Sequence, residues 1–255
     1  MGSTLQLIPL ADFPLVEPGD DLAQLIAESL QGNGLSLQPG DVLVVAQKIV
    51  SKAEGRYRRL AEVTPSARAR EMAQQAGKDP RQVELLLEES AEVLRVRPGV
   101  IIVEHRSGYV LANAGIDRSN IRVDIDDPAV LLLPEDPDRS AALLRAGIGE
   151  ATGVEPQVLI NDSVGRAWRN GTVGITLGCA GLEPLNNQIG DTDLFGNVLE
   201  VTEPAVADEL AAAASLVMGQ AAEGCPVVLA RGFSFAASAA GSGALLRDKS
   251  LDMFR

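Results

Sequence analysis

One histidine, His105, is present in the chain, which removes zinc centres built on several imidazoles and leaves a single candidate for any Ser-His-Asp arrangement. It lies in the strand-like run VIIVEHRSGYVLAN with no nucleophile motif beside it, so a structural or surface role is expected. Cysteine is nearly as scarce: Cys179 and Cys225 read as buried packing residues of a reduced, cytoplasmic protein. Basic residues are outnumbered, 22 Lys and Arg against 35 Asp and Glu, and the resulting net charge of −13 argues against non-specific nucleic-acid binding. No apolar run approaches the roughly 20 residues that a membrane span needs. The opening MGSTLQLIPL has neither a basic region nor a long apolar core, so no secretory signal is expected, and Gln6 stands where myristoylation requires Ser or Thr. A Walker A pattern is missing too. Gly147-x-Gly149-x-x-x-Gly153 misses a dinucleotide fingerprint by one residue and follows a helical pattern rather than a strand.

What is present is a globular composition, 46% hydrophobic over 255 residues, enough for one large domain or two small ones. Period and punctuation predict strands at Leu5 to Leu10, Val42 to Val45, Val100 to Glu104, Tyr109 to Ala112, Gln157 to Ile160, Val173 to Cys179 and Val227 to Ala230. Helices are predicted at Asp20 to Leu30, from Thr64 to about Ala76, from Pro80 to about Val93, at Arg139 to Gly149 and at Pro204 to Gly219. The mixture implies an α/β or α+β architecture. The Ala, Ser and Gly-rich stretch from Ser234 suggests a weakly ordered C-terminal segment.

Asn161-Asp162-Ser163, directly after the apolar Val158-Leu159-Ile160 and ahead of Arg166 and Arg169, places a carboxylate and a hydroxyl at the end of an expected buried strand. Hard cations take oxygen ligands and Arg forks match phosphate, so this segment suits a metal with a phosphate; a capped loop with surface arginines is the plainer alternative. Other acidic positions of the same kind are Asp117, within Asn113 to Asn120, and Asp191 with Asp193. Between Lys48 and Arg70 seven basic residues face only Glu54 and Glu62, which reads as a docking wall for a small anionic ligand, Arg68 and Arg70 being assigned to solvent.

Longer blocks carry a family resemblance. QKIVSKAEGR from Gln47, LLEESAEVLR from Leu86, NAGIDRSN from Asn113, LLLPEDPDRSAALLR from Leu131, NDSVGRAWRNGTVGITLG from Asn161 and the Met218-Gly219-Gln220 region resemble, in order, the coenzyme F420-0:L-glutamate ligase family in its stand-alone form. The resemblance implies a mixed α/β fold of two intertwined subdomains over residues 1–233, followed by the segment 234–255, and a homodimer. It further implies a GTP- and divalent-metal-dependent ligase that adds L-glutamate to F420-0 as a γ-linked tail through an acyl phosphate, with two Mg²⁺ or Mn²⁺ ions and K⁺. Carried over by position, the nucleotide-contacting residues are Asp12, Phe13, Pro14, Leu15, Gln47, Lys48, Lys52 and Asn120, joined by Met218, Gly219, Ala221 and Gly224. Metal ligands are Asp117 and Asp162 for one ion, Ser163 and Gln220 for the other. Asp162, Lys52 and Arg166 are the catalytic candidates, Arg166 and Arg169 being assigned to the acceptor's phosphodiester or carboxylate. The chain departs from the family pattern at Asn161-Asp162-Ser163, where Thr-Asp-Thr is usual, and at Gln220, where some relatives carry Glu. Two other readings remain open: a ligase of the same scheme on a different F420-precursor-like carboxylate, and a non-catalytic nucleotide- and metal-binding protein.

Overall fold

The computed structural model describes residues 4–121 and 127–253. In chain order the elements are β1 (Gln6–Pro9), α1 (Leu22–Gly32), β2 (Val42–Ala46), α2 (Gln47–Ala53), β3 (Tyr57–Arg59), α3 (Ala67–Ala76), α4 (Pro80–Glu88) and β4 (Ser90–Arg97). They continue as β5 (Val100–His105), β6 (Val110–Ala112), β7 (Ala129–Leu131), α5 (Pro137–Thr152), β8 (Gln157–Arg166), β9 (Arg169–Ala180), α6 (Val206–Met218) and β10 (Val227–Arg231).

The main sheet has the order β1-β10-β2-β8-β9, and only β2 and β8 run parallel. Successive side chains of a strand point to opposite faces, and here both faces are covered. Leu43, Val45, Val158 and Ile160 pack with Ile26 and Leu30 of α1 and Ile148 of α5. Val42, Val44 and Leu159 pack against Leu210, Ala214 and Met218 of α6. Each such side chain, fully withdrawn from water, contributes about 1.5–3 kcal/mol, which is why the unbroken aliphatic runs sit here. Gly147 and Gly149 lie inside α5, where a Cβ would meet the Ala23 Cβ at 2.8 Å and the Glu155 Cγ at 2.6 Å, so that near-fingerprint is a packing feature.

A three-stranded antiparallel sheet, β4-β5-β6, and the ribbon β3-β7 make up the remaining strands. Ala69, Ala73 and Ala76 of α3 and Val83 and Leu86 of α4 close over Ile101 and Val103 of β5. Ser66 caps α3 by accepting from the Ala69 N–H, and Asp79 caps α4 by accepting from the Arg81 N–H, with Pro80 in the first turn.

The helix expected from Pro80 to about Val93 stops at Glu88, and residues 90–97 form β4 instead. Helix-favouring Glu, Ala and Leu in EESAEVLR are outweighed by pairing with β5, which runs from Ser90 opposite His105 to Arg97 opposite Val100 with register shifts after Ser90 and after Val93. His105 is buried, 3.5 Å from Glu89, whose carboxylate also receives Arg56 at 3.0 Å. The C-terminal segment is also more ordered than its composition suggests. Ser242 is buried, its hydroxyl donating to the Leu177 carbonyl and lying 2.8 Å from the Tyr109 hydroxyl, while its N–H donates to Asp138. Among the described residues no helix is long and apolar enough to cross a membrane.

Candidate active site

A cleft of about 710 Å³ opens where five segments meet: residues 13–17 after β1, the first turns of α2, residues 117–120, β8 from Asn161 to Ser163 with Thr172 of β9, and the loop 218–226 between α6 and β10. Its volume lies in the range of ligand sites that hold a nucleotide-sized molecule.

Gln47, Lys48 and Lys52 reach the cleft from α2, which starts directly at the end of β2. The helix repeat puts Lys48 and Lys52 on one face, and Gln47 with Ser51 on the next. Ser51 donates to the Gln47 amide oxygen at 3.0 Å, which leaves the Gln47 amide nitrogen to donate to Asp117 at 2.7 Å. The Lys48 ammonium lies 3.4 Å from the other Asp117 oxygen and donates to the Ser119 carbonyl and hydroxyl, each at 3.1 Å. Asp117 is held from behind by reciprocal backbone hydrogen bonds with Leu131.

Asp162 arrives from β8, and its position corrects the expectation of a strand end. β8 runs on to Arg166, paired throughout with β9, and the register slips between Ile160 and Asn161. That bulge lies at the boundary between the buried half of the strand and the half that borders the cleft. The Ser163 N–H donates to Asp162 at 2.7 Å. Burial, and then the neighbouring Asp117 carboxylate, push the Asp162 carboxyl from an ordinary 3.8 up to about 7, against weaker pulls from Ser163, Lys48 and Gln47. Burial raises Asp117 as well, with Lys48 and Gln47 opposing. Two buried carboxylates, with Lys48 beside only Asp117, leave room for a further positive partner. They suit a divalent cation, with the Ser163 hydroxyl and Gln220 amide as neutral oxygen donors in the same cleft. Among the described residues no cluster of three or more His, Cys, Asp or Glu forms a self-sufficient metal cage. Such a cation therefore needs further oxygens from a ligand or water, as is usual where phosphates complete the shell.

Of the expected nucleotide-contacting set, Phe13, Pro14, Leu15, Gln47, Lys48, Lys52, Asn120, Met218, Gly219, Ala221 and Gly224 line the cleft; Asp12 sits one residue outside it, at a turn with positive φ. Asn120 donates from its amide to the Ala221 carbonyl at 2.8 Å, tying the 117–120 segment to the loop after α6. Arg166 and Arg169 are not in the cleft wall; they stand at the tip of the β8–β9 hairpin, where Arg166 donates to the Asn170 carbonyl. Asp191 and Asp193 belong to the exposed loop between β9 and α6, where Asp193 accepts from the Phe195 and Asn197 N–H groups. The basic run also divides. Arg56 turns inward to Glu89 and the Leu133 carbonyl, Arg58 pairs with Glu88 and Arg59 with Asp127, so only the two lysines face the cleft. Arg68 and Arg70 are exposed, as expected. Cys179 is buried, but Cys225 is only half-buried and lines the cleft.

Glu223, within the stretch Met218 to Cys225 expected near the nucleotide, lines it too, as do Tyr57, Ser119 and Thr172, to which the sequence gives no role. Ser119 and Thr172 lie inside blocks already singled out, but a lone hydroxyl has no spacing that marks it.

A family model described as F420-0:gamma-glutamyl ligase matches residues 11–232. The chain is 49% identical over 253 residues to a coenzyme F420:L-glutamate ligase of Methanothermobacter thermautotrophicus, covering 98% of this chain and 99% of that protein. Similar proteins of the same description occur in Methanopyrus kandleri, 48% identical over 90% of this chain and 87% of the relative, and in Archaeoglobus fulgidus, 44% identical over 91% and 89%.

Proposed function

Since the chain belongs to the F420-0:gamma-glutamyl ligase family, we propose that it joins L-glutamate to coenzyme F420-0 with hydrolysis of GTP to GDP and phosphate. The observation that carries this reading is the Asp117 and Asp162 pair, set in one cleft with Lys48 and Lys52. A carboxylate is a poor electrophile, so amide formation in water needs it activated. In the proposed reaction a carboxylate oxygen of the acceptor attacks the γ-phosphorus of GTP, the bond to the β-phosphate oxygen breaks, and GDP leaves. The amine of L-glutamate, having lost a proton, then attacks the carbonyl carbon of the acyl phosphate. Phosphate departs with the bonding pair, leaving an amide between the acceptor's carboxyl carbon and the amine nitrogen of L-glutamate.

Each step gives the chain's own groups a task. Lys52 offers fixed positive charge to phosphate oxygens, and Lys48 does so while holding Asp117. Gln47 orients Asp117 by donating to one oxygen, and the Ser163 N–H orients Asp162. Asn120 fixes the distance between the two walls across the cleft mouth through Ala221. Mg²⁺ or Mn²⁺ held by Asp117, Asp162, Ser163 and Gln220 would neutralise charge developing on the transferred phosphoryl group. K⁺ and the dimer belong to the proposal through the family resemblance, and an acceptor-binding role of Arg166 and Arg169 through the match of Arg forks to phosphate or carboxylate.

Incubation with GTP, Mn²⁺, L-glutamate and F420-0 tests it. The expected result is GDP release together with an acceptor heavier by one glutamyl residue. GDP formed only with a different carboxylate acceptor supports a ligase of altered specificity, and binding of GTP without turnover supports a non-catalytic protein.

A further inference from the structure

Behind the 113–120 segment, on the side away from the cleft, lies a second and smaller cavity of about 190 Å³. Val83, Leu86 and Ile116 give it an apolar base, and Lys78, Gln82 and Arg118 bring polar groups to it. The segment separates the two cavities by simple alternation. Residues 117 and 119 line the cleft and residues 116 and 118 line the smaller cavity, as extended backbone requires.

Positive charge predominates here, although the Asp79 carboxylate is attracted by Arg118 as well as by Arg81. Asp79, the carboxylate next in sequence to Lys78, is engaged by its neighbour: Arg81 donates to Asp79 from its backbone N–H at 2.9 Å, its Nε at 3.1 Å and its Nη2 at 2.7 Å. Among the described residues the Lys78 ammonium and the Arg118 guanidinium make no hydrogen bond or ion pair of their own. They are close enough to repel, and burial and Arg118 together lower the pKa of Lys78. Asn113 has its amide oxygen occupied by the Ile101 N–H, so its amide nitrogen is available to donate into the same space. The cavity is thus rich in donors and cations, and too small for a nucleotide, whose sites begin at about 300 Å³.

We propose that Lys78, Arg118, Gln82 and Asn113 form a second binding site for a small oxyanion, a phosphate or a carboxylate group. Arg118 supplies a planar fork and Lys78 a point charge, the two modes by which such groups are held. The anion has two conceivable sources, the acceptor's own phosphate or carboxylate and a free anion.

Inorganic phosphate is the probe, followed by amide NMR of the full chain. Saturable shifts of Lys78, Gln82 and Arg118 are expected, with affinity about tenfold weaker or worse in Lys78→Gln/Arg118→Gln and retained in Lys78→Arg. The same shifts are expected in Asp162→Asn, so the result does not depend on the reaction assigned to the cleft. Displacement of phosphate by F420-0 would make the acceptor the source, and simultaneous binding would make it a free anion. Absence of saturable shifts at those three residues, or equal affinity in the double variant, overturns the site.

Discussion

At the scale of single residues the site is decided by which charges are left unbalanced. Asp162 keeps its proton in the folded, metal-free chain up to about pH 7, whereas in the unfolded chain it is released near 3.8. At this group the native state therefore binds more protons between those values, and the contribution of Asp162 to the stability of the metal-free protein should fall as pH rises from about 4 to about 7. Thermal midpoints measured across that window in chelator should show the decline, and Asp162→Asn should flatten it; an unchanged slope in the variant would mean that Asp162 titrates normally. The same substitution should cost at least ~100-fold in ligation with the circular dichroism spectrum intact, because it keeps the shape and removes a charge from a dication's shell. Lys52→Ala should weaken GTP by about tenfold, roughly 1.4 kcal/mol, and leave glutamate affinity nearly untouched, which calorimetric titration of each ligand separates. The acidic and basic residues of this site were legible in the sequence because they stand in dense blocks. Arg166 was legible as a cation only, since nothing in NDSVGRAWRN says that the hairpin carries it away from the cleft wall.

At the scale of elements the β8–β9 hairpin and α6 share one tight joint. A Cβ on Gly174 would strike the Ser215 hydroxyl, would lie 2.5 Å from the Asn161 amide oxygen and 2.6 Å from the Ala211 carbonyl, and two of these are fixed by α6. Gly174→Ala should therefore push α6 off β9, costing about 1–3 kcal/mol and lowering GTP affinity through the loop that follows the helix. Chemical denaturation and GTP titration of the same variant check both halves; normal stability would show that the joint can yield. Buried elements were the readable ones. β2 and β10 are short aliphatic runs covered on both faces, and no other assignment fits them. α2 and β4 were not readable for opposite reasons: QKIVSKA is too short to show a helical period, and EESAEVLR has helical propensity that strand pairing overrides.

At the scale of the whole molecule the two carboxylates come from opposite ends of a long detour in the chain. Asp117 precedes β7, and Asp162 follows the whole of α5, so their meeting is a property of the tertiary fold. If both serve one metal–GTP complex, GTP with Mn²⁺ should raise the thermal midpoint by more than the sum of either alone. Asp117→Asn and Asp162→Asn should each abolish that excess and the double variant should be little worse; additive losses would place the two in separate sites. The order of the main sheet has its own bearing on how the protein comes into being. β10 lies between β1 and β2, so these two early strands are joined in the sheet only through a strand made much later. On the ribosome β1 and the outer edge of β2 must wait, unpaired, until Arg231 has emerged, and the cleft wall at 218–226 arrives in the same late stretch. Nascent chains stalled short of that point should expose a sticky aliphatic edge to chaperones, and the cleft should be completed only after residues 218–231 have emerged.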